Sequence, residues 1–324
     1  MRWWLATLAW ACSRPQASPV PELPTATAEA CVRWLEPRQT GTLQTAQLSE
    51  VSGLAVSRRL PGVLWLHNDS GHKPCLWAVD AGGTLLASFR LKHQPHHDWE
   101  DLALGRCSAD RLPTDRACLY LADTGDNARS RSFAHVLRWP EPERLPEVAT
   151  GSPPSRPPRT KITEAEVDTF PFRYPDGPED VEALAVLPDA RIILIGKRTD
   201  GRPPVFRLAL QPGAVLAAEL LGFLDVGRAA VRAGHAVEVT AADLTSDGRW
   251  LLVRTYGHTL VFDLGGVLRA SAADAGPALA AAQAVVVPSV VDGPTEAIAW
   301  DPRGGFWQLA EGGGAGIWRI ACGR

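Results

Sequence analysis

One pattern recurs five times along this chain and limits what it can fold into. A short apolar strand begins with a polar or acidic residue, a turn follows, and a second apolar strand runs out into another polar cluster. The first strands read SEVSGLAV (49–56), DWEDLALG (98–105), EDVEALAV (179–186), VEVTAADL (237–244) and GPTEAIAW (293–300). Their partners read VLWLHNDSG (63–71), CLYLADTGD (118–126), RIILIGKRT (191–199), WLLVRTYGH (250–258) and FWQLAEGGG (306–314). A unit of this size cannot bury its apolar face alone, so the copies must stack, radially or in a line.

Each copy extends to a four-stranded antiparallel blade. In the first, SGLAV and VLWLHND are followed by CLWAVDA (75–81) and TLLASFRL (84–91), with Ala81-Gly82-Gly83 as a tight turn. The second continues with AHVLRWP (134–140) and EAEVDTFPFRYP (164–175), separated by a Pro-rich surface excursion (141–160). The third adds PVFRLAL (204–210) and AAELLGFLDV (217–226). The fourth adds HTLVFDLGG (258–266), a short Ala-rich helix (271–283) and AVVVPSV (284–290). The fifth has only GIWRIAC (316–322) and is one strand short, while GTLQTAQL (41–48) is a strand without a blade. Supplying that strand to the last blade closes the ring and removes an exposed edge. The expected fold is all-β, a five-bladed β-propeller. A six-bladed ring, with a blade hidden in 106–178, is the alternative, and a β-sandwich ranks below both.

The composition suits this reading. The chain is 45% hydrophobic, enough for a sizeable core, and its 29 Gly and 27 Pro fit a turn-rich β protein. The twelve Trp read as packing between sheets. A net charge of −3 leaves no basic stripe for nucleic acid.

The N-terminus reads MRWWLATLAWACSRPQ, a minimal positive region, a short apolar stretch and a small-x-small cleavage site (1–11). Cys12 follows as the modified cysteine of a lipoprotein signal, and residues 12–30 form a Pro/Ala/Thr tether ahead of one domain, 31–324. The expected location is therefore outside the cytoplasm: periplasmic, outer-membrane lipoprotein or secreted. Any membrane contact would be through the lipid alone, and the protein is expected to be monomeric. In an oxidising compartment the cysteines sort as Cys107 with Cys118 across a hairpin and Cys31 with Cys322 across the ends of the domain, leaving Cys75 as a buried thiol. Other pairings remain open.

In a propeller the first strands line the channel. Alignment on their apolar residues stacks Ser52, Glu100, Glu182, Thr240 and Glu296, with Glu50, Asp98, Asp180 and Glu238 two residues earlier. The second strands stack Asn68, Asp123, Lys197, Thr255 and Glu311, with His67, Asp69, Asp126, Arg254 and Tyr256 among their neighbours. So many carboxylates at one opening need a cation, a proton or a basic partner. Hard oxygen ligands suit Ca²⁺, held by some of Glu100, Glu182, Glu296, Asp123 and Glu311 with Asn68 as a neutral ligand. Taken singly, each of these residues is as well explained by bonds to neighbouring backbone N–H groups. Lys197 and Arg254 would hold an anion, and His67 would serve as a proton donor. The loop ADTGDN (122–127) reads as an Asx-turn. The three histidines of KHQPHHDWED (His93, His96, His97) have the chemistry for a transition metal, but the Pro between them and the loop setting fit an exposed polar turn better.

The motifs DWEDLALG, LYLADTGDN, YPDGPEDVEALAV, the strand with Gly196-Lys197, VTAADLTSDGRWLLVRTY and TEAIAW together resemble a group of exported bacterial propeller proteins. That group is loosely related to phytase-like propellers, including those described as having esterase-like activity. The resemblance spans most of 49–322. It implies Ca²⁺ bound by carboxylates at the channel mouth, with Lys and Arg gripping phosphate. Carried over, it points to Glu100, Glu182, Asp123, Glu296, Glu311, Lys197 and Arg254. Calcium-dependent lactonase propellers are also similar, through an acid–amide set matched by Glu100, Asn68 and Asp123. Two functions follow. One is a metal-dependent hydrolase of a small anionic phosphoester, ester or lactone. The other is a non-catalytic propeller that binds a cell-surface ligand or protein around a structural calcium.

Overall fold

The alternating apolar runs pair into five antiparallel sheets, each wound from the inside of the ring outward. A computed structural model describes residues 31, 33–108, 116–146, 158–162, 166–230 and 236–323. The expected signal segment and Cys12 lie outside these residues. Blade one runs from Val51–Val56 through Val63–Asn68 and Cys75–Asp80 to Leu85–Leu91. Blade two runs from Trp99–Arg106 through Ala117–Asp123 and Ala134–Pro140 to Asp168–Arg173. Blade three comprises Val181–Val186, Ile192–Gly196, Pro204–Leu208 and Glu219–Phe223. Blade four comprises Val239–Leu244, Trp250–Thr255, Thr259–Asp263 and Ala284–Val287. Blade five has Thr295–Trp300, Gly305–Ala310 and Gly316–Gly323. The innermost strands pack in order around the axis, and that of blade five returns to that of blade one. The ring therefore has five blades, not six.

The N-terminal segment closes the ring, with a shifted register. Arg38–Thr42 and Arg33–Trp34 both pair antiparallel with Gly316–Gly323. Residues 43–48, expected to belong to that strand, form no strand; instead Leu43 and Leu48 are buried against blades one and five. The Cys31–Cys322 disulfide ties the same seam, and Cys107–Cys118 closes the hairpin of blade two. Cys75 is a buried free thiol. Both disulfides fit an oxidising compartment. Two short strands were not foreseen. Arg159–Ile162 and Leu216–Ala217 add in parallel to the outer edges of blades one and two, covering backbone groups that would otherwise be open to association.

One apolar cluster fills each interface between neighbouring blades. The Trp residues do pack there. Trp65, Trp99 and Trp139 are fully buried. Trp65 and Trp307 donate their indole N–H to the buried carboxylates of Glu141 (3.0 Å) and Asp301 (3.1 Å). The Ala-rich helix runs from Ala272 to Ala281, and the Ser271 hydroxyl caps it by accepting the Asp274 N–H. Among the described residues no helix is long and apolar enough to cross a membrane.

Candidate functional site

A β-bulge falls at the same place in all five innermost strands. The register slips between Val51 and Gly53, Trp99 and Leu102, Val181 and Ala183, Val239 and Ala241, and Thr295 and Ala297. The residue at each slip is Ser52, Glu100, Glu182, Thr240 or Glu296, the set that the sequence repeat aligns. A bulge re-aims a side chain out of the alternating pattern. In blades one and four it aims a hydroxyl at the next blade: Ser52 donates to the Glu100 carbonyl and Thr240 to the Thr295 carbonyl. In blades two, three and five it carries a glutamate.

Those three glutamates meet other acids at the channel mouth. Carboxylate oxygens of Asp69, Asp98 and Glu100 lie within 4.8 Å of one another. Glu100 is only 5% exposed, and four other carboxylates lie near enough to act on its charge. Burial, followed by the nearby charges of Glu182, Asp69, Asp98 and Glu296, raises its pKa well above the usual carboxylate range. Burial likewise pushes Asp69 up to about 6, although it accepts the Ser70 N–H. Gly125 supplies the wall. A Cβ there would stand 1.9 Å from Glu100 Oε1 and 2.5 Å from Asp98 Oδ2, so only glycine leaves room for the two carboxylates.

A polar chain borders this cluster on the side of blades three to five. Lys197 Nζ is 2.7 Å from Glu182 Oε1 and 3.3 Å from the Tyr256 hydroxyl, which donates to Glu296 Oε1 at 3.0 Å. Burial works against the Lys197 charge, but Glu182 and Tyr256 outweigh it and hold the ammonium above its ordinary value. Glu311 is pushed up to about 8 by burial and by Glu296. Beside Lys197 an open depression of about 500 Å³ is lined by Asn127, Arg129, Asp180, Arg198 and Glu238 among others.

Four of the expected site residues lie elsewhere. Asp123 turns away from the cluster. One of its oxygens accepts the His97 and Asp98 N–H groups, and the other faces His97, His135 and Arg131. Burial opposes its charge, yet His135, the Asp98 N–H, Arg131 and His97 together hold it well below the usual carboxylate range. Asn68 is occupied in bridging Glu50 N and Gln47 O. The His67 ring sinks over Gly53, where a Cβ would stand 2.1 Å from Nε2, and burial drops its pKa to about 4. Arg254 is wholly buried in blade four, donating to Thr259 Oγ1 and the Val290 carbonyl, and desolvation lowers it to about 10. The three neighbouring histidines do not converge: His96 stands edge-on to Trp99 while His97 turns to Asp123. The ADTGDN loop is held by one local bond, Asp126 accepting the Arg131 N–H, and by bonds to blade three, with Thr124 donating to the Val181 carbonyl and the Asp126 N–H to Asp180 Oδ1.

The repeat alignment brought Asp69 and Asp98 to the mouth but did not single them out as a pair with Glu100. Asp101 went unnoticed. It takes the position just after the bulge residue, held by Gly53, Ala183, Ala241 and Ala297 in the other blades. Its buried carboxylate accepts N–H groups from Leu102, Leu184 and Ala242, linking blades two, three and four.

No protein-family model matches this sequence, and no curated protein does. Among solved structures, the PQQ-bound aldose sugar dehydrogenase of Streptomyces coelicolor is similar over 89% of this chain and 98% of its own, with a TM-score of 0.45 and 14% identity. The apo-form soluble aldose sugar dehydrogenase of Escherichia coli is similar over 89% of this chain and 99% of its own, with a TM-score of 0.42 and 10% identity. Likeness at this level says nothing about substrate or cofactor. The propeller assignment rests on the strand pairing.

Proposed function

We propose that this is an exported propeller whose channel mouth binds a divalent cation, and through it a small anionic ligand. The single observation behind this reading is the convergence of the buried Glu100 carboxylate with those of Asp69 and Asp98, within 4.8 Å of one another. Three carboxylates at this spacing are hard oxygen donors with room for water as further ligands, the chemistry that suits Ca²⁺. Glu182, Glu296 and Glu311 surround them with further carboxyl groups, of which Glu182 is paired with Lys197. Lys197, oriented by Glu182 and Tyr256 beside the open depression, is placed to take the anionic part of a ligand.

Hydrolysis of that ligand is the further step within this reading. A bound cation would supply Lewis-acid polarisation of an ester or phosphoryl oxygen. What favours catalysis is Glu311 beside the cluster, a carboxyl group outside the three ligands that burial and Glu296 push up to about 8. What favours a non-catalytic binder is the seclusion of His67 and Arg254, which removes two of the expected participants. Purified protein assayed on generic phosphate, carboxylate-ester and lactone substrates, with calcium and then with chelator, decides between them. Turnover that chelator abolishes is the expected result for the hydrolase. Calcium binding without turnover on any of the three classes leaves the binder.

A further inference from the structure

Among the described residues, one group of side chains apart from the mouth has the makings of a metal site, of a different chemical type. His97 Nδ1 and His135 Nδ1 lie 3.1 and 3.3 Å from the same oxygen, Oδ2 of Asp123. The two rings are stacked, 9° from parallel with centroids 5.9 Å apart, and the three potential ligand atoms all fall within 4.8 Å. Ligands at about 2.1 Å from a tetrahedral Zn²⁺ stand about 3.4 Å apart. Two of the three edges are therefore already at the length a bound ion requires. The buried Nδ1 of His135 makes no aligned hydrogen bond, so its lone pair can be presented to an ion.

The surroundings orient these groups. The other Asp123 oxygen is occupied by the N–H groups of His97 and Asp98, which leaves Oδ2 for the rings. His135 stands on the third strand of blade two, directly across from Asp123 in register. The His97 side chain is 61% exposed and gives an ion a path from solvent. Arg131 Nη2 approaches Oδ2 to 3.3 Å, but the guanidinium is tied to the Gly125 and Asp123 carbonyls. Its charge disfavours hard cations that depend on carboxylate charge. Ions that gain most from imidazole nitrogen are disfavoured least.

We propose that His97, Asp123 and His135 form a second metal site, selective for a transition ion such as Zn²⁺. The two imidazoles would bind through Nδ1 as neutral tautomers protonated at Nε2, with solvent completing the coordination. This site shares no ligand with the mouth and stands whether or not the mouth binds calcium.

The test is a Co²⁺ titration of the full chain in excess calcium, followed by visible absorption and reversed with Zn²⁺. One Co²⁺ per chain is expected, with a spectrum showing nitrogen ligands and displacement by Zn²⁺. His97→Ala, at an exposed position, and His135→Ala should each weaken binding by at least ~100-fold, beyond what loss of an outer-sphere partner does. Glu100→Gln should leave it unchanged. No Co²⁺ spectrum at saturation, or one that survives His97→Ala, would overturn the proposal. So would one lost with Glu100→Gln, because the ion would then sit in the mouth.

Discussion

Replacing Glu100 by Gln should stabilise the metal-free protein and at the same time abolish its stabilisation by calcium. Two unit charges 4.8 Å apart repel by about 3.5 kcal/mol at an effective dielectric of 20. Glu100 has two carboxylate neighbours, Asp69 and Asp98, within that distance. The protein escapes most of this repulsion by keeping Glu100 protonated, as its raised pKa reflects. Gln relieves the part that remains, and each ~1 kcal/mol of it raises the melting temperature by roughly 1.5 °C for a chain of this size. Calcium at one hundred times its dissociation constant should add about 2.7 kcal/mol to the wild type and nothing to the variant. The order of melting should therefore invert between chelator and calcium. Differential scanning calorimetry in both conditions reads this directly. If the variant melts below wild type in chelator, or gains as much from calcium, Glu100 is not a ligand held in a repulsive site.

Three other outcomes follow from the same geometry. Gly125→Ala keeps every carboxylate but places a methyl group 1.9 Å from Glu100 Oε1. The carboxylate must then move by about 1 Å against a metal-site tolerance of about 0.2 Å, so calorimetric titration should show calcium affinity falling at least ~10-fold. Unchanged affinity would place the ion elsewhere. In chelator, stability should fall as pH rises from about 6.5 to about 8.5. Glu100 and Glu311 have folded pKa values above their unfolded ones, so their contribution is present at low pH and is lost as pH climbs through the folded values. Below about 6.5 the buried neutral His67, depressed to about 4, pulls the other way. A flat melting profile over the upper range would contradict this assignment. Finally, Cys31→Ser/Cys322→Ser should destabilise more than Cys107→Ser/Cys118→Ser. The first bond spans 291 residues and the second 11, which in the chain-entropy model is about 5–6 against about 3 kcal/mol. Equal losses in chemical denaturation would show that native-state effects dominate.

Much of the ring was legible because its period is long and its units alike. The five aligned positions on the innermost strands are the five bulge residues, and both cysteine pairs that the hairpin and the two ends of the domain suggested are bonded. The closing strand was misplaced because Leu43 and Leu48 mimic strand alternation while they fill the blade-one interface as a loop. Alignment also placed His67, Asp123 and Arg254 on the correct strands without revealing which way they face. Gly53 lets His67 sink, two backbone N–H groups turn Asp123 aside, and Thr259 draws Arg254 inward; each is a contact between strands that no repeat pattern encodes. His135 lay on a third strand, where the repeat has no polar signature. Its approach to Asp123 depends on cross-strand register alone.

Equilibrium dialysis tests the central claim most directly. Protein stripped with chelator is dialysed against calcium, and bound metal per chain is measured for wild type and for Asp98→Asn. Saturable binding by the wild type, lost in the variant while the fold survives, is the predicted result. A stripped wild-type protein that binds no calcium, or an Asp98→Asn protein that binds it equally well, would contradict the account.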